Sequence, residues 1–312
     1  PLPFALAHIN LWLLRDDGGW VIADTGIDSK TSRALWRGVF ADSMGGEPAT
    51  HVIVTHLHPD HVGCADWLVR EFDVDLWMTR EEYLLCRMLI ADTGKEAPPE
   101  GVGFYRAAGF SDQQIAHYED NFGMYGKFVR GMPQAFRRMQ DGDRLRFAGY
   151  EWEVIVGRGH SPEHACLYDA QRNILISGDQ VLPTISPNIS VWPTEPQANP
   201  LREFFDSIDM LEAKLPEDVL VLPAHGKPFR GAHVRLEELR KEHADKLDAL
   251  LSNSGQPRRV VDAFGDLFGA AINDSNRIMA TGEAIAHLQY LVNTGDLVAE
   301  TDANGVRWFA RD

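Results

Sequence analysis

Apolar positions along this chain follow two rhythms. Residues 9–14 and 19–23 are short β-prone runs separated by Arg15-Asp16-Asp17-Gly18, which predicts a hairpin with an Asp-Gly turn. His51-Val52-Ile53-Val54-Thr55 lacks polar alternation and suits a strand buried on both faces; residues 152–156, 174–178 and 219–222 read the same way. Helical spacing runs over 29–38, 64–70, 80–90, 111–122 with Ser111 as N-cap and Asp112 in the first turn, and 126–139. Asn199 and Pro200 open a further helix whose buried stripe is Leu201, Phe204, Phe205 and Ile208. Beyond residue 235 the pattern predicts helices over 236–252, 260–268 and 281–293, with Gly255-Gln256-Pro257 as a break. A hairpin of 297–301 and 306–310 then turns at Asn304-Gly305.

The polar residues that interrupt this pattern gather at strand ends. After the run ending at Thr55 come His56-Leu57-His58-Pro59-Asp60-His61-Val62-Gly63, then a helical stretch. Three imidazoles and a carboxylate on a strand-to-helix turn project from loop backbone toward a common point. Neutral imidazole nitrogens and carboxylate oxygens are the donors that suit zinc and related divalent ions.

This segment resembles the signature of the metallo-β-lactamase superfamily, and the resemblance extends downstream over roughly residues 5 to 230. Gly159-His160-Ser161-Pro162-Glu163-His164, Gly178-Asp179 and Ala224-His225-Gly226 each follow a strand-like run, in the family's order. The resemblance implies an α+β fold, an αββα sandwich with a helical insertion and a small C-terminal winged-helix-like domain. Carried over position by position, His56, His58 and His160 would hold one metal, Asp60, His61 and His225 a second, and Asp179 would bridge them. Asp24, in the strand-end Asp24-Thr25-Gly26, would orient a ligand imidazole or else cap the following turn. The cofactors implied are two divalent ions, zinc first, with iron or manganese as alternatives. Such a pair lowers the pKa of water from roughly 15.7 to about 7, so that a bridging hydroxide is available for hydrolysis, with Asp60 and Asp179 as the catalytic carboxylates that hold it or shuttle a proton.

Two departures bear on substrate. The zinc β-lactamases of the best-known subclass carry cysteine where Asp179 stands, which disfavours antibiotic hydrolysis. The family's Gly-His-Thr-Pro-Gly-His is here Gly159 to His164 with Glu163 in place of glycine, facing solvent or the substrate mouth; His164 is expected to pack rather than ligate. His8, His51, His117, His233, His243 and His287 lack ligand spacing and are taken as surface or core residues.

Composition and charge narrow the choice. The net charge of −16 disfavours a polynucleotide partner, because such binding draws its affinity from Lys and Arg at phosphates. No apolar run approaches the ~18 residues of a membrane span. Residues 1–14 lack the basic region and cleavage site of a signal peptide, so a cytoplasmic location without membrane attachment is expected. Cys64, Cys86 and Cys166 are odd in number and widely spaced, which fits buried reduced thiols.

The expected organisation is a catalytic domain over 1–235, with a helical insertion at about 80–140, and a C-terminal domain over 236–312. Leu84 and the Met and aromatic residues of the insertion, among them Tyr83, Met88, Tyr105, Tyr118, Tyr125, Met132 and Phe136, suggest an apolar lid over the site, although each also suits the insertion's own core. The proline-rich stretch from Val181 to Pro196 follows Asp179 and is expected to line the entrance. Helices followed by a β-ribbon resemble the winged helix found in the lactamase-beta-2-like branch, close to glyoxalase II, which includes ribonucleases. Residues 236–312 nevertheless carry 8 basic against 13 acidic residues, and the would-be recognition helix at 281–294 has no Lys or Arg. That domain is therefore expected to pack on the catalytic domain or on a second subunit, as in a homodimer. The favoured reading is a hydrolase of a small ester, thioester or lactone with an apolar portion. The alternatives are a metal-dependent endoribonuclease or phosphodiesterase, a one-iron dioxygenase, and a non-enzymatic relative, the last two disfavoured by the full ligand set.

Overall fold

The computed structural model describes Leu2, residues 7–269 and residues 271–312. From the N-terminus run β1 (Trp12–Asp16), β2 (Gly19–Ala23), α1 (Lys30–Ala41), β3 (Ala49–Ile53), α2 (Pro59–Val62), α3 (Ala65–Phe72) and β4 (Leu76–Met78). Helices α4 (Arg80–Ala91), α5 (Pro99–Ala107), α6 (Asp112–Asp120) and α7 (Tyr125–Phe128) follow. Strands β5 (Arg137–Arg138), β6 (Arg144–Phe147), β7 (Tyr150–Gly157), β8 (His164–Asp169) and β9 (Ile174–Gly178) come next. The remainder holds α8 (Pro200–Lys214), β10 (Leu220–Pro223), α9 (Ala232–Asn253), α10 (Phe264–Leu267), α11 (Arg277–Thr294), β11 (Val298–Thr301) and β12 (Arg307–Ala310). Among the described residues no helix is long and apolar enough to cross a membrane.

Two compact units result: Pro1–Thr93, Gly123–Pro187 and Lys214–Arg235 form one, and Gly94–Phe122, Asn188–Ala213 and Leu236–Asp312 the other. In the first unit one sheet has the order β1-β2-β3-β4-β5 and the other β10-β9-β8-β7-β6. β2 to β5 run parallel, as do β9 and β10; the remaining neighbours are antiparallel. Because side chains alternate along a strand, Val21, Ala23 and Ile53 point to one face and meet Leu145, Trp152, Val154, Leu167 and Ile176 of the second sheet. Ile22, Val52 and Val54 point the other way, onto Trp36, Leu68 and Tyr83 of α1, α3 and α4. This double burial explains the unbroken apolar runs and yields the expected mixed α/β sandwich. The loops after β2, β3, β7, β9 and β10 carry the residues singled out above.

The hairpin turns at Asp17-Gly18, with β1 starting three residues later and ending two residues later than its apolar run suggests. The helix expected over 126–139 is not formed. It ends at Phe128, Val129 is extended, and Pro133 lacks the N–H that a continuing helix needs while its ring would meet the preceding turn. Arg137 and Arg138 pair instead with β4 as β5. The spacing of Phe128, Met132 and Phe136 that mimics a helix face arises because Met132 and Phe136 pack on the core beside Tyr83. Tyr83 and Phe136 stack with centroids 4.0 Å apart.

The 81–139 interval is thus divided between the two units, and its aromatics mostly serve cores. Tyr105, Phe110, Ile115 and Tyr118 form their own cluster in the second unit, whereas Leu84 and Met88 are exposed on α4. α6 has the predicted Ser111 cap, made reciprocal by Gln114. α11 begins at Arg277, four residues earlier than expected, and ends on Gly295 at φ 83°. All three cysteines are buried and free.

The second unit buries a pair of imidazoles whose titration is legible. His243 Nδ1 and His287 Nε2 lie 3.0 Å apart, with Phe204 and Phe205 against His243 and the Lys246–Glu283 ion pair (2.7 Å) on the same two helices. Burial lowers His287 to about 4, and burial together with His287 and Lys246 lowers His243 to about 2. Both are neutral when folded, whereas the unfolded chain takes up protons near 6.5. Their contribution to stability is therefore complete above about pH 6.5 and is lost as pH falls toward 4, by up to roughly 1.4 kcal/mol per pH unit per imidazole. Thermal denaturation between pH 7 and 4.5 should show a shallower loss in His287→Gln than in the parent; parallel curves would sink this assignment.

Candidate metal centre

The residues predicted for the site converge, and the local folding shows why. β3 ends inside the sandwich, and Pro59 starts α2 from a first position that needs no N–H donor, so that Asp60 and His61 leave the first turn while His56 and His58 precede it. Gly63 closes this turn because a Cβ there would stand 2.5 Å from the Pro59 carbonyl and 2.6 Å from the Asp28 nitrogen. Gly178, at φ 50°, precedes Asp179 for the same kind of reason: a Cβ would lie 2.5 Å from the His164 ring.

Two donor sets result. His56, His58, His160 and Asp179 each offer an atom within 4.8 Å of the others, and so do Asp60, His61 and His225. His56 Nε2 is 2.9 Å from His58 Nδ1 and 3.3 Å from His160 Nε2. In the second set His225 Nε2 is 3.4 Å from Asp60 Oδ2, and His61 Nε2 is 4.0 Å from the same oxygen. Asp179 faces both sets, with Oδ2 3.4 Å from His61 and 3.6 Å from His160, and Oδ1 3.5 Å from His225.

The far side of several rings is held. Asp24 Oδ2 accepts from His61 Nδ1 at 2.8 Å, and Oδ1 accepts from the Thr55 N–H at 2.9 Å, so Asp24 both orients an imidazole and ties the end of β3. It does this from φ 62°, a conformation Asp tolerates better than most residues. The His8 carbonyl lies 2.8 Å from His225 Nδ1. His164 stacks on His56 with centroids 4.7 Å apart, and its Nε2 accepts from the Asp179 N–H at 3.1 Å. It packs and orients, as expected.

Electrostatics divide the sets. Burial first, then neighbouring imidazoles, hold His56 far below the ordinary range, and burial with His160 brings His58 down to about 3, so both are neutral donors. Burial opposes charge on His61, but Asp24, Asp179 and Asp60 outweigh it and raise its pKa well above normal; His225 is raised in the same way, chiefly by Asp60. Burial works against the Asp179 anion, yet His61, His160 and His225 keep it far below the usual carboxylate range.

These residues fit a divalent cation on an observation independent of their type. His61 Nε2, His225 Nε2 and Asp179 Oδ1 are buried polar atoms without a hydrogen bond, a costly arrangement unless another group takes them up. Because the surrounding carboxylates raise the pKa of His61 and His225, a cation at the second set competes with protons for these rings, which makes its binding pH-dependent.

Sequence reasoning missed one buried carboxylate. Glu82, on α4, is 0% exposed and is pushed up to about 7 by burial, against the pull of the Ser161 hydroxyl and of the Glu163 and Leu57 N–H groups on its oxygens. In the sequence it looks like an ordinary acidic residue in a helix's first turn. The Glu163 carboxylate accepts from the Glu81 N–H at 2.9 Å and so caps α4. His51, His117, His233, His243 and His287 take no part in either donor set.

Comparison with known proteins agrees with this picture. Residues 6–225 match the metallo-beta-lactamase superfamily, and residues 247–312 match the C-terminal domain of metallo-beta-lactamase-like proteins. A solved beta-lactamase domain protein from Burkholderia ambifaria is 39% identical, with a TM-score of 0.91 over 100% of this chain and 90% of its own. The probable metallo-hydrolase YqjP of Bacillus subtilis (strain 168) is 24% identical over 93% of this chain and 90% of its own length. The acyl-coenzyme A thioesterase MBLAC2 of Homo sapiens is 26% identical over 55% of this chain and 58% of its own length.

Proposed function

Since this chain belongs to the metallo-beta-lactamase superfamily and is a metallo-hydrolase by that membership, we propose that it hydrolyses a small thioester, ester or lactone with an apolar acyl portion, using two divalent cations. The observation that carries the two-cation reading is Asp179, whose carboxylate faces imidazoles of both donor sets. The thioester is placed first because the human relative is an acyl-coenzyme A thioesterase. Zinc suits the mixed imidazole and carboxylate donors.

In this reading His56, His58 and His160 hold one cation, Asp60, His61 and His225 the other, and Asp179 serves both. The cations supply Lewis acidity toward the acyl oxygen and lower the pKa of water toward about 7. The chain does the rest. Asp24 and the His8 carbonyl fix His61 and His225 in the tautomer that keeps Nε2 available. The Asp60 carboxylate takes the proton of the attacking water, since it is half-buried and flanked by two imidazoles, whereas Asp179 is buried among three. The same proton then passes to the leaving thiolate or alkoxide. The net acidic charge of residues 236–312 counts against a phosphodiester of RNA.

Metal content of protein purified without chelator, paired with turnover of thioester, lactone and phosphodiester substrates, tests the proposal. About two zinc ions per chain and acyl-substrate kcat/KM at least about 100-fold above that for phosphodiesters are expected. Phosphodiester cleavage alone, or a single iron, would overturn it.

A further inference from the structure

Glu82 touches no donor atom, yet both of its oxygens hold backbone that carries donors. Oε2 accepts from the N–H of Leu57, the residue between His56 and His58, at 2.9 Å. Oε1 accepts from the N–H of Glu163, three residues after His160, at 2.8 Å. Two loops about a hundred residues apart in sequence therefore meet on one buried side chain from α4. Neighbouring groups reinforce each contact: Thr79 Oγ1 donates to the Glu163 carbonyl at 2.7 Å, the Glu163 carboxylate caps α4 at Glu81, and Tyr125 donates its O–H to the Leu57 carbonyl. The two peptide groups that flank the Leu57 Cα are thus both held, one by Glu82 at the Leu57 N–H and the other by Tyr125 at the Leu57 carbonyl.

We propose that Glu82 is a positioning residue that sets the spacing of His56 and His58 against His160, and thereby governs affinity for the cation held by that set, leaving Asp60, His61 and His225 unaffected. The inference rests on the two-cation reading given above. A carboxylate is required because both bonds are accepted, one on each oxygen. Glutamine, equal in size, accepts with one atom only and turns an NH2 toward the remaining N–H, so it should release one loop. Supporting groups around metal ligands commonly alter metal affinity 10–100-fold.

The test is calorimetric titration of zinc ion into chelator-stripped protein, with thermal denaturation of the same metal-free samples. In the parent two binding events are expected. Glu82→Gln should weaken one of them by about tenfold or more and leave the other unchanged. Tyr125→Phe, which removes the hydroxyl from the Leu57 carbonyl and from Cys86 but leaves both Glu82 bonds in place, should weaken the same event by less, and it decides the matter should Glu82→Gln fail to fold. Both events unchanged in the variants, with only a lower denaturation temperature, would overturn the positioning role while leaving the two-cation reading intact. A parent protein that takes up no zinc would overturn that reading and this inference together.

Discussion

Replacing Asp179 with asparagine should lower kcat/KM on the order of 10⁴-fold, about 5.5 kcal/mol of transition-state stabilisation, and reduce bound metal from two ions to one or none. The size of the effect follows from the position of this carboxylate. It is the acidic group that faces donors of both sets, within 3.4 to 3.6 Å of His61, His160 and His225. It is buried, and those imidazoles hold its pKa far below the usual carboxylate range, so it is held as the anion. An amide keeps the volume but removes the charge that balances three imidazoles or two cations, and in a buried site an unbalanced charge is expensive. His58→Ala should cost less metal, because His58 belongs to one set only. Elemental analysis and steady-state kinetics on the three proteins decide the matter. An Asp179→Asn protein that keeps two ions and more than about a tenth of its activity would remove the bridging role.

The parts of this site that were legible in the sequence are those whose chemistry is local. His56, His58, Asp60 and His61 lie within six residues after a buried strand, and such a strand can be recognised from its unbroken β-branched run. His160, Asp179 and His225 each follow a similar run, so the pattern repeats wherever a strand of either sheet ends at this site. What stayed hidden depends on contacts between distant segments. Glu82 has the sequence context of any first-turn carboxylate, and only the approach of Leu57 and Glu163 makes it a buried clamp. Tyr125 reads as an apolar lid residue, yet its hydroxyl holds the Leu57 carbonyl. The false helix over 126–139 came from three apolar residues at spacing four, a rhythm that Pro133 overrides. β4 and β5, at three and two residues, are too short to produce a rhythm at all. Residues 94–122 and 188–213 group with the C-terminal segment, although nothing in their composition separates them from their neighbours along the chain.

Asp24 is the residue for which sequence left two roles open; the structure shows its bond to a ligand imidazole and, in place of a cap on the following turn, a hold on the end of β3, so a pair of substitutions can separate the two. Asp24→Ala removes the acceptor for His61 Nδ1 and for the Thr55 N–H, and it places a Cβ-bearing residue without a side-chain hydrogen bond at φ 62°. A buried donor left unsatisfied costs about 1–3 kcal/mol, and the left-handed backbone adds roughly 1 kcal/mol, so the metal-free protein should be destabilised by several kcal/mol. Asp24→Asn is the sharper probe. Asparagine tolerates the left-handed region, and its carbonyl oxygen can still accept from Thr55, so the fold should be nearly as stable as the parent. Its NH2, however, now meets His61 Nδ1 as a donor. The ring responds by moving its proton to Nε2, the atom that is buried without a hydrogen bond and faces Asp179. An Nε2 carrying a proton has no lone pair for a cation. The expected result is therefore a near-normal denaturation temperature for the metal-free Asn variant together with a 10–100-fold weaker zinc event at the set of Asp60, His61 and His225, and the other event unchanged. Should Asp24→Asn instead lose stability while both zinc affinities hold, Asp24 acts as a cap on the end of β3 and the orientation of His61 must come from its packing alone.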